Sequence, residues 1–235
     1  MNVALSIIIP TFNEAETIKR TLDRLKIFGE NGEIIVVDGG SEDKTVSIAE
    51  SFGVSVLHSS RGRGTQMHAG ANAAKGNVLW FLHADTIPTS ETVEQMIRAL
   101  DDSKTIGGNF TVCFDGDRRA ARFLTWLYPQ LRKIGLFYGD SAIFVRRDVY
   151  EKVGGFKPFP IFEDLDLIRR IKREGQTVNL SAKVLTSSRR FEDKSFALTF
   201  ARWSFLQVLY WLGTSPHTLA KLYLPHRYRK KLDLI

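Results

Sequence analysis

Short apolar runs alternate with helix-forming segments through the first hundred residues of this chain. The runs at 5–9, 33–37, 54–57 and 78–82 are too short for helices and are rich in β-branched or aromatic residues. Such runs are typical of strands that are buried on both faces of a parallel sheet. The alternation therefore predicts an α/β fold with a central, mostly parallel sheet flanked by helices.

The second half of the sequence predicts a less regular arrangement. It contains two strand patterns and two helical patterns, at 107–114, 142–145, 120–131 and 163–173. We expect residues 1–192 to form one domain. A helical, aromatic-rich extension over 193–235 would then pack on that domain, on a partner subunit or on the surface of a membrane.

Two local signals set the expected boundaries near the start of the chain. Pro10 has no amide hydrogen and is expected to stop the first strand. Asn13 and Glu16 have the spacing of a capping box, so we expect Asn13 to cap the first helix.

The composition is that of a globular protein with an anionic partner. The 235 residues are 43% hydrophobic and 25% charged, and the formal net charge is +7. This charge suits nucleic acid, an anionic membrane or a phosphate-bearing small substrate. The basic residues are not interleaved with aromatic ones as in single-strand binders, so nucleic acid is not expected as a partner.

Cysteine content and the first residues favour a cytoplasmic protein. Cys113 is the only cysteine, which excludes an intrachain disulfide and a Cys-x-x-Cys zinc site. The N-terminal residues run straight into the first strand without the pattern of a secretory signal. We expect a cytoplasmic location, with peripheral contact at the inner face of the membrane as a variant of it.

The most apolar segment lies at 196–213 and is rich in aromatic residues. Arg202 interrupts it, and it is marginal for the roughly 20 mainly apolar residues that a spanning helix needs. One interpretation is a helix that packs on the domain or forms a homodimer interface. The other is an interfacial helix, in which residues 196–231 touch a membrane and the basic residues at 227–231 face anionic lipid.

Acidic residues follow two of the predicted strands. Asp38 ends the second, and Asp85 comes shortly after the fourth. Ligands of open α/β sheets bind beyond the carboxyl ends of the strands, so we expect Asp38 and Asp85 to converge on one crevice.

The segments at 10–14 and 38–41 have the composition of a nucleoside pocket. Asp38 can accept hydrogen bonds from a base or a ribose, and Gly39 allows the ligand to approach the backbone. Each residue alone also has a structural interpretation, because Asn13 can cap a helix and the glycines can form a turn.

Asp85 is the predicted metal ligand. A diphosphate site needs a hard divalent cation held by one or two carboxylates, with phosphate oxygens and water in the other positions. His83, two residues earlier, suits Mn²⁺ better than Mg²⁺. In the loop at 59–64, Arg61 or Arg63 is expected to reach a phosphate.

Glu163 and Asp164 open a predicted helix, where carboxylates also suit the helix dipole. An enzyme that activates an acceptor hydroxyl needs a carboxylate within hydrogen-bond reach of it. We predict Asp164 to be that general base.

In their order along the chain these motifs resemble the family 2 glycosyltransferases of GT-A fold, over roughly residues 5–190. The resemblance is carried by the segments 10–14, 36–41, 74–85 and 162–164. Within the family, the segments 139–141, 189–191 and 210–216 look like a small bacterial subgroup labelled for arsenosugar biosynthesis or as associated with radical-SAM and selenium proteins.

The resemblance implies an inverting transfer of one sugar from a UDP-sugar to an acceptor hydroxyl, on a small molecule or a lipid. Asp164 would be the catalytic base, and Mn²⁺ or Mg²⁺ would stabilise the departing diphosphate. With the strand-end pattern, it assigns the donor nucleotide to Pro10, Thr11, Glu14, Asp38, Gly39, Ser41 and Arg63, the metal and diphosphate to Asp85 and His83, and the acceptor or diphosphate to Asp140, Glu163, Arg189 and Arg190.

The sequence departs from the family in two places. His83 stands where the Asp-X-Asp metal motif has its first acid, while Asp85 keeps the last acid, which usually binds the metal. The tail lacks the Gln-x-x-Arg-Trp pattern of processive synthases, so a single transfer is expected.

Two alternatives remain at this point. A nucleotidyltransferase would carry a glycine-rich, lysine-bearing signature near the first strand, which 10–14 lacks. A non-catalytic, membrane-associated binding module would not bind UDP.

Overall fold

A computed structural model describes residues 4–28, 32–115, 119–133, 139–189 and 196–223. Over these residues the strands are β1 Leu5–Thr11, β2 Gly32–Asp38, β3 Ser55–His58, β4 Val78–Phe81, β5 Thr86–Pro88, β6 Thr105–Phe114, β7 Phe144–Arg146 and β8 Gln176–Thr186. The helices are α1 Ile18–Leu25, α2 Thr45–Ser51, α3 Arg63–Ala73, α4 Glu91–Asp101, α5 Arg119–Lys133, α6 Arg147–Lys152, α7 Glu163–Ile171, α8 Phe196–Trp211 and α9 Pro216–Tyr223.

All of these strands join one mixed sheet in the order β3-β2-β1-β4-β7-β6-β8-β5. The first four pair in parallel, as expected from their alternation with helices. Strand β7 pairs antiparallel with both β4 and β6, while β8 lies parallel to β6. The carboxyl ends of β1, β2 and β4 therefore share one edge of the sheet.

The core lies on both faces of the sheet. Along β1, Ile7 and Ile9 belong to one apolar cluster and Ile8 to the other, because successive side chains of a strand point to opposite faces. Trp80 is fully buried in the first cluster and Phe81 is almost fully buried in the second. This double burial explains why the first strands read as continuous apolar runs.

Two boundary predictions were wrong. Pro10 does not stop β1, because β4 pairs only as far as Ile8 and the missing amide hydrogen costs no hydrogen bond on that side. Asn13 does not cap α1, which begins at Ile18. Its backbone is left-handed (φ 54°), and its side-chain oxygen accepts a hydrogen bond from the Glu42 amide.

The C-terminal helices α8 and α9 pack on the start of α7. Leu206, Leu219 and Ala220 form a buried cluster with Phe162 and Leu165. This contact holds one face of the predicted extension against the domain. Within the described ranges, we find no helix that combines the length and the apolar character needed to cross a membrane.

Candidate active site

A cavity of about 450 Å³ opens beyond the carboxyl ends of β1 and β4. Polar and charged side chains form one wall, among them Thr11, Glu14, Arg63, Gln66, His83, Asp85, Asp140, Asp164 and Arg189. Apolar and aromatic side chains form the other, among them Phe114, Leu124, Tyr128, Leu131, Phe162, Phe200, Trp203, Val208 and Trp211. The segments after β1, β4 and β8, together with α3 and the start of α7, supply most of the polar and charged groups, whereas β6, α5 and α8 supply most of the apolar surface.

Asp38 lies beneath the polar wall rather than in it. It is 1% exposed, and its carboxylate accepts hydrogen bonds from the Gly40 and Ser41 amides and from the Thr11 and Ser41 hydroxyls. Burial alone would raise the pKa of Asp38, but the hydrogen bonds from Ser41, Gly40 and Thr11 outweigh it and lower the pKa. An ionised Asp38 therefore holds the turn after β2 against Thr11.

Gln66 ties the first two strand ends together. Its side-chain nitrogen donates to the carbonyls of Thr11 and Val37, both at 2.7 Å, and its side-chain oxygen accepts from the Gly62 amide. A β-carbon on Gly39 would come within 3.1 Å of the Gln66 amide group, so glycine allows this close packing. The polar wall is held in place by interactions among its own residues.

Arg189 bridges two carboxylates across the polar wall. Its guanidinium lies 2.6 Å from Glu14 Oε1 and 3.3 Å from Asp85 Oδ2. Burial opposes a charged arginine, but Glu14 and Asp85 together raise the pKa of Arg189. Glu14 follows β1, Asp85 follows β4 and Arg189 follows β8, so the contact joins three distant parts of the chain.

Asp164 and His83 meet at Gly139. The Gly139 amide donates to Asp164 Oδ2 at 2.6 Å, and the Leu165 amide donates to Oδ1 at 2.8 Å. A β-carbon at Gly139 would lie 3.2 Å from Asp164 Oδ2 and 3.3 Å from His83 Nε2. The side chain of His83 therefore reaches toward the carboxylate of Asp164.

Glu163 faces away from the cavity and holds Arg63 instead. The side chain of Arg63, which lines the cavity, donates through Nε to Glu163 Oε1 at 2.8 Å. Glu163 is 1% exposed, and its Oε2 has no hydrogen-bond partner among the described residues. Burial and the neighbouring Asp164 raise the pKa of Glu163, and Arg63 only partly opposes them.

Phe162 connects the C-terminal helices to the acidic pair that follows it. Its backbone is left-handed (φ 61°), an uncommon conformation for an aromatic residue. The ring stacks on Tyr210 at 5.0 Å and meets Trp203 edge-on at 5.7 Å. Helix α8 thereby stabilises the turn that sets the position of Asp164.

The polar wall fits a divalent cation that arrives with its own phosphate ligands. Among the described residues, no three His, Cys, Asp or Glu side chains converge as a ready-made metal site. Asp85 is a half-buried carboxylate at the cavity wall, with Glu14 joined to it through Arg189. One or two carboxylates of this kind are what a Mg²⁺ or Mn²⁺ ion bound to a diphosphate requires.

Most of the predicted site residues come together around this cavity. Its lining includes Pro10, Thr11, Glu14, Arg63, His83, Asp85, Asp140, Asp164 and Arg189. Asp38, Gly39, Ser41 and Glu163 are not part of the lining and lie behind it as supports. Arg190, the remaining predicted residue, falls outside the described ranges.

Sequence reasoning missed Gln66 and most of the apolar wall. Gln66 lies within a helical segment with no distinguishing motif, and only the fold brings it under β1 and β2. The apolar wall includes Tyr128, whose hydroxyl donates to Asp140 Oδ2 at 3.0 Å. The aromatic richness of 120–131 and 196–213 was the available signal, but it did not indicate which residues face a site.

Comparisons with known proteins agree on one family and one fold. The family model for Glycosyl transferase family 2 matches residues 6–154, more than half of the chain. Glycosyltransferase AglE of Haloferax volcanii is 28% identical over 173 residues, covering 66% of this chain and 56% of AglE. The chain spans about half the length of the curated relatives that it matches.

Solved structures show the same fold at low identity. Mannosyltransferase PcManGT from Pyrobaculum calidifontis, in complex with GDP-Man and Mn²⁺, superposes with a TM-score of 0.68 at 19% identity and covers 98% of this chain and 68% of that protein. S. aureus TarS 1-349, in complex with UDP-GlcNAc, gives 0.66 at 18% identity over 83% of this chain and 60% of that protein.

Proposed function

Because this chain belongs to glycosyltransferase family 2, we propose that it transfers one sugar from a nucleotide-diphosphate sugar to an acceptor hydroxyl, with inversion at the anomeric carbon. One observation carries the proposal. A single cavity contains Asp164, which is suited to accept a proton, together with Asp85 and Arg189, which are suited to hold a diphosphate and its metal.

The part of the polar wall around Thr11 and Glu14 is the donor side. Thr11 and Glu14 face the cavity where a nucleoside would lie, and Asp38 supports Thr11 from behind. The donor is UDP-linked in this proposal, as in the TarS complex with UDP-GlcNAc. The PcManGT complex contains GDP-Man, so GDP is the alternative nucleotide to test.

Mn²⁺ or Mg²⁺ would bind at Asp85, with His83 or Glu14 as a further ligand. When bound, such an ion would neutralise charge that develops on the leaving diphosphate. Arg189 carries a positive charge at the same wall, and the Arg63 guanidinium faces the cavity while Glu163 holds its position. These side chains bind and orient the diphosphate.

Asp164 is the general base. Two backbone amides hold its carboxylate beside the cavity, which limits its motion and leaves its remaining lone pairs available to an acceptor. As the acceptor oxygen attacks the anomeric carbon, its proton passes to Asp164. The bond from that carbon to the diphosphate oxygen breaks, and nucleoside diphosphate leaves. Asp140 and Tyr128 face the same space on the acceptor side.

The first experiment is a calorimetric titration with UDP, GDP and CDP, each with Mn²⁺ and with EDTA. Mn²⁺-dependent binding of UDP supports the proposal. Binding of GDP alone would mean that the donor is GDP-linked. If no nucleotide binds, the result would favour the non-catalytic module and overturn the enzyme assignment.

The Asp164→Asn variant separates catalysis from binding. We expect transfer to fall by about 10²- to 10⁴-fold, since this is the usual contribution of a general base, while UDP affinity stays within a few-fold. Asp23→Asn, at an exposed position on α1, is the matched control. An equal loss of UDP binding would place Asp164 at the donor instead.

A further inference from the structure

Helices α5 and α8 carry large apolar side chains that the rest of the chain leaves uncovered. Trp126 is 61% exposed and Phe205 is 60% exposed, and Leu198 and Leu212 are more exposed still. Monomeric proteins seldom leave large contiguous apolar surfaces open, and such surfaces mark contact with a membrane or a partner.

Ring contacts join the two helices into one surface. Phe123 of α5 lies 5.9 Å from Trp126 and 6.1 Å from Phe200 of α8, measured between ring centroids. Phe200 and Val208 also line the cavity. The α5–α8 surface, which consists of Phe123, Trp126, Leu198, Phe205, Val208 and Leu212, therefore lies next to the apolar wall of the active site.

Helix α8 is apolar on its outer face as well as its inner one. Leu206 packs inward against the start of α7. On the outside, Leu198, Phe205 and Val208 recur at spacings of seven and three, which place them on one exposed face. Leu212, the first residue after α8, lies on the same face because its amide still bonds to the Val208 carbonyl. A helix with two apolar faces can bury only one of them against its own domain, and the other needs a second apolar environment.

The helices that carry this surface contain basic residues and no acidic ones. Residues 119–133 and 196–223 contain no Asp or Glu. Their basic residues are Arg119, Arg122, Arg132, Lys133, Arg202 and Lys221. Exposed tryptophan beside cations complements the headgroup region of an anionic bilayer, whereas a second copy of the chain would bring like charges together.

We propose that the α5–α8 surface docks on a bilayer that contains anionic lipid. In this orientation the apolar wall of the cavity lies at the membrane side, and the polar donor wall stays in water. Where the proposed function holds, the acceptor hydroxyl is presented by a membrane-resident amphiphile whose apolar part lies along Phe200 and Val208.

The test is co-sedimentation of the full chain with vesicles of phosphatidylcholine alone and with added phosphatidylglycerol. We expect binding to the anionic vesicles, weakened by salt, and a shift of tryptophan fluorescence as Trp126 leaves water. The double variant Trp126→Ala/Phe205→Ala should bind about tenfold or more weakly, because two exposed rings carry much of the apolar contact. Ile27→Ala removes an apolar side chain that is 47% exposed and lies outside α5 and α8, so it should change nothing.

Three results would overturn the docking proposal. The first is that the chain does not bind anionic vesicles. The second is that the double variant binds them as well as the native chain does. The third is that the native chain forms a stable dimer, does not bind vesicles, and becomes a monomer in the double variant. UDP titration on the same preparations tests the enzyme separately, because neither Trp126 nor Phe205 lines the cavity. If the chain binds UDP but not vesicles, only the docking proposal is rejected. If it binds vesicles but not UDP, only the glycosyltransferase proposal is rejected.

Discussion

The two walls of the cavity differ in whether their side chains have partners within the protein. Around β1 and β2, the carboxylate of Asp38 and the side chain of Gln66 have their partners within the protein. Around α5 and α8, Trp126 and Phe205 project into solvent. This part of the polar wall is therefore preorganised before any ligand binds, whereas the apolar wall continues into a surface that the described residues leave exposed.

Tryptophan substitution gives the sharpest contrast between the two regions. Trp80 of β4 is fully buried against Phe28 and Phe110, and Trp80→Ala should lower the free energy of unfolding by about 3–5 kcal/mol, since it leaves a large cavity. Trp126→Ala should stay within about 0.5 kcal/mol, because its side chain is largely in water. Chemical denaturation measures both. A similar cost for the two variants would mean that Trp126 is covered in solution.

Gln66→Ala should have the next largest effect. It removes two buried hydrogen bonds, those to the carbonyls of Thr11 and Val37, at a cost of about 1–3 kcal/mol in total. The Thr11 carbonyl keeps its bond from the Gly39 amide, so the loss is that of the Gln66 bonds alone. Gln176→Ala, at the exposed start of β8, is the control. Thermal unfolding with and without UDP checks the prediction. An unchanged melting temperature would show that Gln66 does not stabilise the polar wall.

Asp38→Asn tests the preorganised wall through pH. The folded-state pKa of Asp38 lies below its ordinary value of 3.8, so its carboxylate contributes stability that is present above that value and is lost as the pH falls through the folded pKa. Only His58, at 3.9 Å, adds an ionisable neighbour among the described ion pairs. The variant should be less stable than the native chain by about 1–2 kcal/mol at pH 7, and the difference should shrink below about pH 4. A difference that is constant with pH would contradict this account.

Arg189→Ala should give the smallest effect, with opposite signs in two measurements. Without nucleotide, the chain alone should bind Mn²⁺ a few-fold more tightly, because the guanidinium 3.3 Å away no longer competes for Asp85. With Mn²⁺ present, UDP should bind more weakly because the diphosphate loses a cation. Electron spin resonance of free Mn²⁺ measures the affinity for the metal, and calorimetry measures the affinity for UDP. Arg20→Ala, at an exposed position on α1, is the control. Weaker Mn²⁺ binding by the variant would contradict competition.

Secondary structure could be predicted from the sequence where the burial of side chains leaves a regular pattern of apolar residues. The strands β1 and β4 and the last four residues of β2 are buried on both faces, so their apolar runs predicted them. The helix beginning at Glu163 was expected where it occurs. Strand β8 gave no such signal because much of it is exposed, so its sequence is not a continuous apolar run. The three-residue strand β5 is defined only by its pairing with β8.

The sequence by itself determined the α/β order of the first hundred residues, the family, and the acids that stand after the strands, because these depend on local periodicity and on motifs of a few neighbouring residues. Only the tertiary structure decided that Asp38 turns inward, that Gln66 joins two strands, and that Arg189 reaches Glu14 across 175 positions. Such contacts depend on how distant segments pack, and no short-range pattern records which side chains that packing will bring together.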